Sequence, residues 1–306
     1  MKAEQSNLPA SVQARLKNLA RSTDRPYDEL LRYFGNERFL YRLSRSEYAE
    51  RFVLKGALLL YARGLQGGRP TRDIDLRGYL SNDLPEVLKS VREICLTPVE
   101  PDGIRFDVDT IRGEMTQEQT GHPGVVVRFP GLLGRSRIPM QLDVNFFDEI
   151  VPASEQILYP TLLDFPSPRL RGYPLEALIA EKLHAIVVLG EINSRMKDYY
   201  DLWVLAKTHE LDGVSVSRSI QATFSRRTTS LPEIPLAFFQ SGWAQSRQDL
   251  WHALIKRLPD SHEVPSDLSL AVELIEQFLY PPLRAATDPG SFKKRWFPNG
   301  PWRDLK

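Results

Sequence analysis

The chain has a single cysteine, Cys95, in 306 residues, which excludes a disulfide framework and a zinc site built on thiolates. Nor does it contain a run approaching the roughly 18 uninterrupted apolar residues of a membrane span, so a protein that stays out of the membrane is expected. Met1 to Ala10 is polar and lacks the basic, apolar, small-residue order of a secretory signal. With the lone cysteine, this points to the cytoplasm. Neither sign of charge is in excess, since 40 Lys and Arg face 39 Asp and Glu for a net +1. Any nucleic-acid contact must therefore come from a local cluster of cations. A G-x-S-x-G elbow, a Walker A sequence, a dinucleotide G-x-G-x-x-G and an H-E-x-x-H are all absent, and with them the hydrolase, P-loop, Rossmann and zincin chemistries they support. No internal repeat is visible.

What is present begins with helical periodicity. Leu16, Leu19 and Ala20, then Leu30, Leu31 and Phe34, recur at three- and four-residue spacing, predicting helices over residues 9–50. From Phe52 to about Phe147 short apolar or alternating runs are separated by Gly and Pro. A helix is expected over Leu54 to Ala62, led in by Lys55-Gly56, with four or so strands at Ile74–Leu76, Ile104–Val108, Val125–Phe129 and Ile138–Phe147. After a Pro-rich connection (Pro160, Pro166, Pro168, Pro174) the pattern is helical again. Pro174 suits a first turn and Gly190 a C-terminal cap, bracketing Leu175–Leu189. Further helices are expected at Ser194–Lys207, Trp243–Leu258 and Leu268–Leu279. The fold class is α+β: a helical segment 1–50, a mixed-sheet core 51–150 and a mainly helical domain 151–306.

The sharpest chemical feature is Thr71-Arg72-Asp73-Ile74-Asp75-Leu76. On a strand Asp73 and Asp75 project from one face about 6.6 Å apart while Ile74 and Leu76 enter the core. Two converging carboxylates suit Mg²⁺, which typically takes one or two and completes its octahedron with phosphate and water oxygens. A charged solvent face is the blander reading of so short a pattern. Upstream, Gly56 opens a helix and brings free backbone N–H groups where a triphosphate could meet them. In Ile138–Phe147, Met140, Leu142, Val144 and Phe146 share one face and Gln141, Asp143 and Asn145 the other. If that strand lies beside the Asp73 strand, Asp143 becomes a third acid. Lys182 is placed at the edge of the next helix's apolar stripe. Arg195, Lys197, Asp198 and Asp201 read by spacing alone as a salt-bridged helix face, and His184 as packed or solvated.

In order along the chain, Phe-Val-Leu-Lys-Gly-Ala (52–57), Arg-Pro-Thr-Arg-Asp-Ile-Asp-Leu (69–76), Gln-Leu-Asp-Val (141–144), Glu-Lys-Leu-His-Ala (181–185) and Asn-Ser-Arg-Met-Lys-Asp-Tyr-Tyr-Asp-Leu (193–202) resemble the AbiEii/AbiGii nucleotidyltransferase toxins, which include the MenT enzymes. The resemblance spans about Ser11 to Ala206. It implies a polymerase β-like nucleotidyltransferase core followed by a helical half, with NTP as co-substrate and Mg²⁺ or Mn²⁺ as cofactor. By position, Asp73, Asp75 and Asp143 match the metal carboxylates. Lys55 and Gly56, with Thr71 and Arg72, fall on the nucleotide side. Lys182 and Asp198 match the family's essential lysine and aspartate, the first reaching a nucleotide phosphate and the second orienting. Gly56-Ala57 departs from the Gly-Gly or Gly-Ser of many nucleotidyltransferases, which removes a hydroxyl contact to phosphate.

The resemblance also implies a toxin that transfers NMP to the 3′ end of tRNA and blocks translation and growth, with an AbiEi-like antitoxin as partner. Arg226-Arg227 and Lys293-Lys294-Arg295-Trp296 are candidate tRNA surfaces, the latter pairing cations with an aromatic suited to stacking. The alternatives are transfer to a protein hydroxyl or small molecule, and a catalytically silent nucleotide- or RNA-binding regulator. Asp73→Ala or Lys182→Ala is expected to abolish transfer while leaving the fold intact.

Overall fold

A computed structural model of the chain describes residues 2–65, 69–117, 123–146, 150–258 and 263–304. The chain forms two compact units, one of Met1–Gln66, Pro70–Phe147 and Glu155–Gly172, the other of Gly67–Arg69, Asp148–Ser154 and Tyr173–Lys306.

The first unit opens with helices α1 (Lys2–Thr23) and α2 (Tyr27–Arg45), turned by Arg25-Pro26. A short 3-10 turn leads to β1 (Phe52–Leu54), α3 (Gly56–Ala62), β2 (Asp73–Gly78) and α4 (Leu84–Leu96). Then follow β3 (Ile104–Phe106), β4 (Arg112–Gln117), β5 (Pro123–Leu133), β6 (Ser136–Asn145), β7 (Glu155–Leu158) and β8 (Arg169–Gly172). These make one eight-stranded sheet in the order β3-β5-β6-β2-β1-β8-β7, with β4 also on β5. The sheet is mixed, because β2 runs parallel to β6 and β1 parallel to β8 while the other pairs are antiparallel. The fold is α+β, as the sequence predicts, with six strands in place of the expected four over residues 52–147 and two more, β7 and β8, beyond them. Leu54 corrects a boundary: it closes β1 opposite Leu76, and the helix starts at Gly56. Phe147, the expected end of the last strand, lies outside the described residues.

One face of this sheet is the core. Ile74, Leu76, Val127 and Leu142 are fully buried there, and α2 lies so close that a Cβ on Gly35 would stand 3.0 Å from Met140 Sδ. Strand alternation sends Asp73, Asp75, Gln141 and Asp143 to the opposite face. A buried ion pair, Arg42 Nη1 to Asp102 Oδ2 at 2.7 Å, fixes α2 to the chain entering β3.

The second unit contains α5 (Leu175–Leu189), α6 (Met196–Thr208), β9 (Leu211–Asp212), α7 (Gly213–Arg226), α8 (Ser241–Ser246), α9 (Gln248–Ile255), α10 (Leu268–Ala285), β10 (Lys294–Trp296) and β11 (Trp302–Asp304). The helix α5 has the predicted bounds. Gly190 caps it at φ +54, and Pro174 is its N-cap residue, one place before the first turn. The helix expected over Trp243–Leu258 is broken into α8 and α9, and β9, β10 and β11 form a small antiparallel sheet.

Candidate active site

The register of β2 against β6 assembles the acidic face. Asp75 pairs with Asp143 and Asp73 with Gln141. Partners in such a ladder share a face and stand about 4.8 Å apart across the strands. Asp75 and Asp143 are therefore side by side, with Asp73 diagonal to Asp143, and all three are half-buried. Burial first, then the Asp75 carboxylate, pushes the Asp143 carboxyl up to about 6, with Asp73 adding to the rise and the Gln141 hydrogen bond opposing it. Like charges held together in a partly desolvated place favour uptake of a proton or a cation.

The side chains around these acids are ordered by one another. Gln141 Nε2 donates to Asp143 Oδ1 at 2.9 Å, and Arg128 Nε donates to Gln141 Oε1 at 3.1 Å. Arg128 in turn pairs with Glu114 at 2.5 Å. On the other flank the Lys55 N–H donates to the Asp75 carbonyl at 3.0 Å. Gly56 follows at φ +66, and a Cβ there would fall 2.0 Å from Asp75 Oδ2. Only glycine satisfies both the left-handed backbone and that approach, so the Lys55-Gly56 turn lies against the acid pair. Thr71 is half-buried with its hydroxyl donating to the Asp73 carbonyl at 3.4 Å, and Arg72 is exposed beside Asp73.

The donor set at Asp73, Asp75 and Asp143 is all carboxylate oxygen, which fits a hard divalent cation. Among the described residues no three acidic, imidazole or thiolate groups converge tightly enough to hold a metal ion by themselves. An ion here needs further oxygens, the requirement that Mg²⁺ meets with substrate phosphates and water.

The second unit carries its own charged cluster. Lys182 Nζ donates to Asp198 Oδ1 at 3.0 Å and to Asp201 Oδ2 at 2.6 Å, tying α5 to α6. Arg69 grips Asp201 with two bonds of 2.9 Å, and Arg195 pairs with Asp198 at 2.8 Å. Burial pulls the Lys182 ammonium down, but Asp201 and Asp198 more than offset it and the net shift is upward. Burial likewise raises Asp201, and Arg69 and Lys182 outweigh it, leaving the carboxylate lowered. The helix-face reading of Asp198 and Asp201 thus gives way to a buried network, with Lys182 at 7% exposure. Local spacing alone does not mark Asp201 and Arg69 as site residues. Their signal is the three-residue step from Asp198 to Asp201 taken with the place of Arg69 at the head of the Asp73 motif.

The expected basic surfaces fare differently. Trp296 is 0% exposed, donates Nε1–H to the Ala206 carbonyl at 2.7 Å and packs on Phe278 and Trp302, so it cannot stack on a base. Lys294 and Arg295 are engaged by Asp304 and Glu210. Arg227 lies 3.3 Å from His184, which is packed against Phe224 and hydrogen-bonded to Thr229. Among the described residues no helix is long and apolar enough to cross a membrane.

Two solved structures from Helicobacter pylori resemble the fold loosely. One, of a protein described as a nucleotidyltransferase, is 14% identical, with 81% of this chain and 92% of that one covered at a TM-score of 0.43. The other, JHP933, is 18% identical, with 83% and 97% covered at 0.45. Likenesses this loose carry no argument about chemistry. No curated protein matches the chain. Residues 38–273, well over half of the chain, match the family described as nucleotidyl transferase AbiEii toxin, type IV toxin–antitoxin system. With that match the chain belongs to the AbiEii nucleotidyltransferase toxins, enzymes that use a nucleotide and are countered by an antitoxin.

Proposed function

We propose that this nucleotidyltransferase moves NMP from an NTP to the 3′ end of tRNA, blocking translation, and that Asp73, Asp75 and Asp143 form its transfer centre. The observation that carries this reading is the Asp75–Asp143 register, with Asp73 on the same half-buried face and the Gly56 backbone closed against Asp75. Asp73 and Asp75 would hold a divalent cation, Mg²⁺ or Mn²⁺, which would supply neutralisation of the charge that builds on the phosphates. Lys55 and Gly56 present backbone to the triphosphate, with Thr71 and Arg72 beside it. The acceptor hydroxyl oxygen attacks the α-phosphorus in line and the bond to pyrophosphate breaks. The hydroxyl proton passes to the Asp143 carboxylate, whose Oδ1 is held by Gln141 and whose raised proton affinity suits a general base. Lys182 gives two of its three N–H groups to Asp198 and Asp201. The third is assigned to a nucleotide phosphate and Asp198 to orienting the ammonium, roles carried by the family resemblance. The antitoxin partner is AbiEi-like.

The test is incubation of the purified protein with total tRNA, Mg²⁺ and each α-labelled NTP in turn, resolved on a denaturing gel. Label is expected in tRNA from the wild type and none from Asp73→Ala. Label in protein or a small molecule instead would overturn the acceptor. Undiminished transfer by Asp73→Ala would overturn the site.

A further inference from the structure

A cleft of about 500 Å³ opens beside Asp73 in the first unit, and five arginines line it: Arg32, Arg72, Arg112, Arg128 and Arg137. In a chain whose cations and anions balance to +1, five guanidinium groups around one carboxylate are a concentrated positive field. Arg128 and Arg137 face Glu114 and Asp107, while Arg32, Arg72 and Arg112 have no carboxylate partner among the described residues. All but the half-buried Arg32 are exposed.

The sheet sets their spacing. Asp73 pairs with Gln141, Gln141 with Arg128, and Arg128 with Arg112, so these four form one lateral row across β2, β6, β5 and β4. Three strand spacings put Arg112 about 14 Å from Asp73. Arg137 lies four residues before Gln141 on β6, about 13 Å along the strand and on the same face. A single triphosphate is too compact to span such a set, whereas successive phosphates along a strand suit it. The Lys55-Gly56 turn lies on the opposite flank of β2, at the end of β1, so it and the sheet arginines sit on separate sides of the acid pair.

We infer that Arg32, Arg112, Arg128 and Arg137 of this cleft hold the phosphodiester backbone of the acceptor, an RNA strand end, and deliver its terminal hydroxyl toward Asp73 and Asp143, while Arg72 stays with the nucleotide. Guanidinium groups bind phosphate through paired N–H donors, and a positively charged groove that tracks the backbone is how single strands are held. The inference rests on the acid face being the transfer centre, and its test therefore reads binding and not turnover.

Fluorescence anisotropy of a short labelled single-stranded RNA is measured against the full chain over a salt series, in parallel with binding of a fluorescent NTP analogue. Arg112→Ala and Arg137→Ala should each weaken RNA binding several-fold and flatten the salt slope by about 0.7, leaving nucleotide affinity unchanged. Arg112→Lys should keep most of the affinity. Lost nucleotide affinity with RNA binding intact would overturn the inference and make the cleft a triphosphate site. Unchanged RNA binding in both variants would also overturn it. RNA binding that depends on these arginines in a protein with no transferase activity would sink the proposed function and leave the cleft assignment standing.

Discussion

Asp143 sits where its charge is costly. Its folded-state affinity for a proton is raised to about 6 from an ordinary 3.8, by burial and by the Asp75 carboxylate. A carboxyl raised in this way contributes its stability in full below 3.8 and loses it as the pH rises through 6. Asp143→Asn should therefore stabilise the cation-free protein at pH 8 by on the order of 2 kcal/mol, and the gain should vanish below pH 4. Urea unfolding in EDTA at the two pH values measures it, and equal stabilities at pH 8 would refute the crowding of the acids. Residue alternation made much of this face legible, since Asp73, Asp75 and Asp143 were each placed opposite a buried apolar set by spacing alone. Gly56 was read as a helix opener, but its contact with Asp75 needed the β1–β2 pairing to be known.

At the level of elements, α5 and α6 are joined by Lys182 between Asp198 and Asp201. Removing the ammonium leaves two buried carboxylates facing one another with, among the described residues, only Arg69 and Arg195 as counterions. The expectation that Lys182→Ala spares the fold does not survive this geometry. We predict a loss of about 3–5 kcal/mol, visible as a lowered Tm in thermal unfolding. A wild-type melting curve would refute the structural role and return Lys182 to substrate binding alone. The helix α5 was legible because Pro174 and Gly190 mark its ends in chemistry that one residue carries by itself. The strands β4, β7 and β8 were not. Arg-Gly-Glu-Met-Thr-Gln has no apolar alternation, and β7 and β8 are four-residue strands flanking a Pro-rich stretch. Each is a strand because a neighbour supplies its hydrogen bonds, which no local pattern records. Trp296 failed for the same reason: its flanking cations suggested a surface, but β9 and β11 enclose it.

Across the whole molecule, near-neutral charge means that binding to RNA has no general attraction to draw on. If the cleft supplies the contacts, the dependence of RNA affinity on salt should be no steeper than about −2.8 on a log–log plot, four arginines at about −0.7 each. A titration from low to physiological salt checks this, and a markedly steeper slope would show that further basic surface takes part. The balance of 40 cations and 39 anions made a local cluster the only route to nucleic acid. Where that cluster lies was not legible, because Arg112, Arg128 and Arg137 are 25 residues apart in the chain from first to last and meet only through the pairing of three strands.

The β5–β6 hairpin also governs which changes of length the chain can absorb. Ten consecutive pairs join the two strands from Gly124↔Asn145 to Leu133↔Ser136. One residue added between Arg137 and Leu142 would turn Asp143 inward and expose its hydrophobic neighbours. Two added residues would restore the facing but carry Asp143 about 6.6 Å past Asp75. Insertions and deletions that keep the protein working are thereby confined to the segments outside this ladder, and lineages of the chain can vary in loop length while the hairpin keeps a fixed residue count.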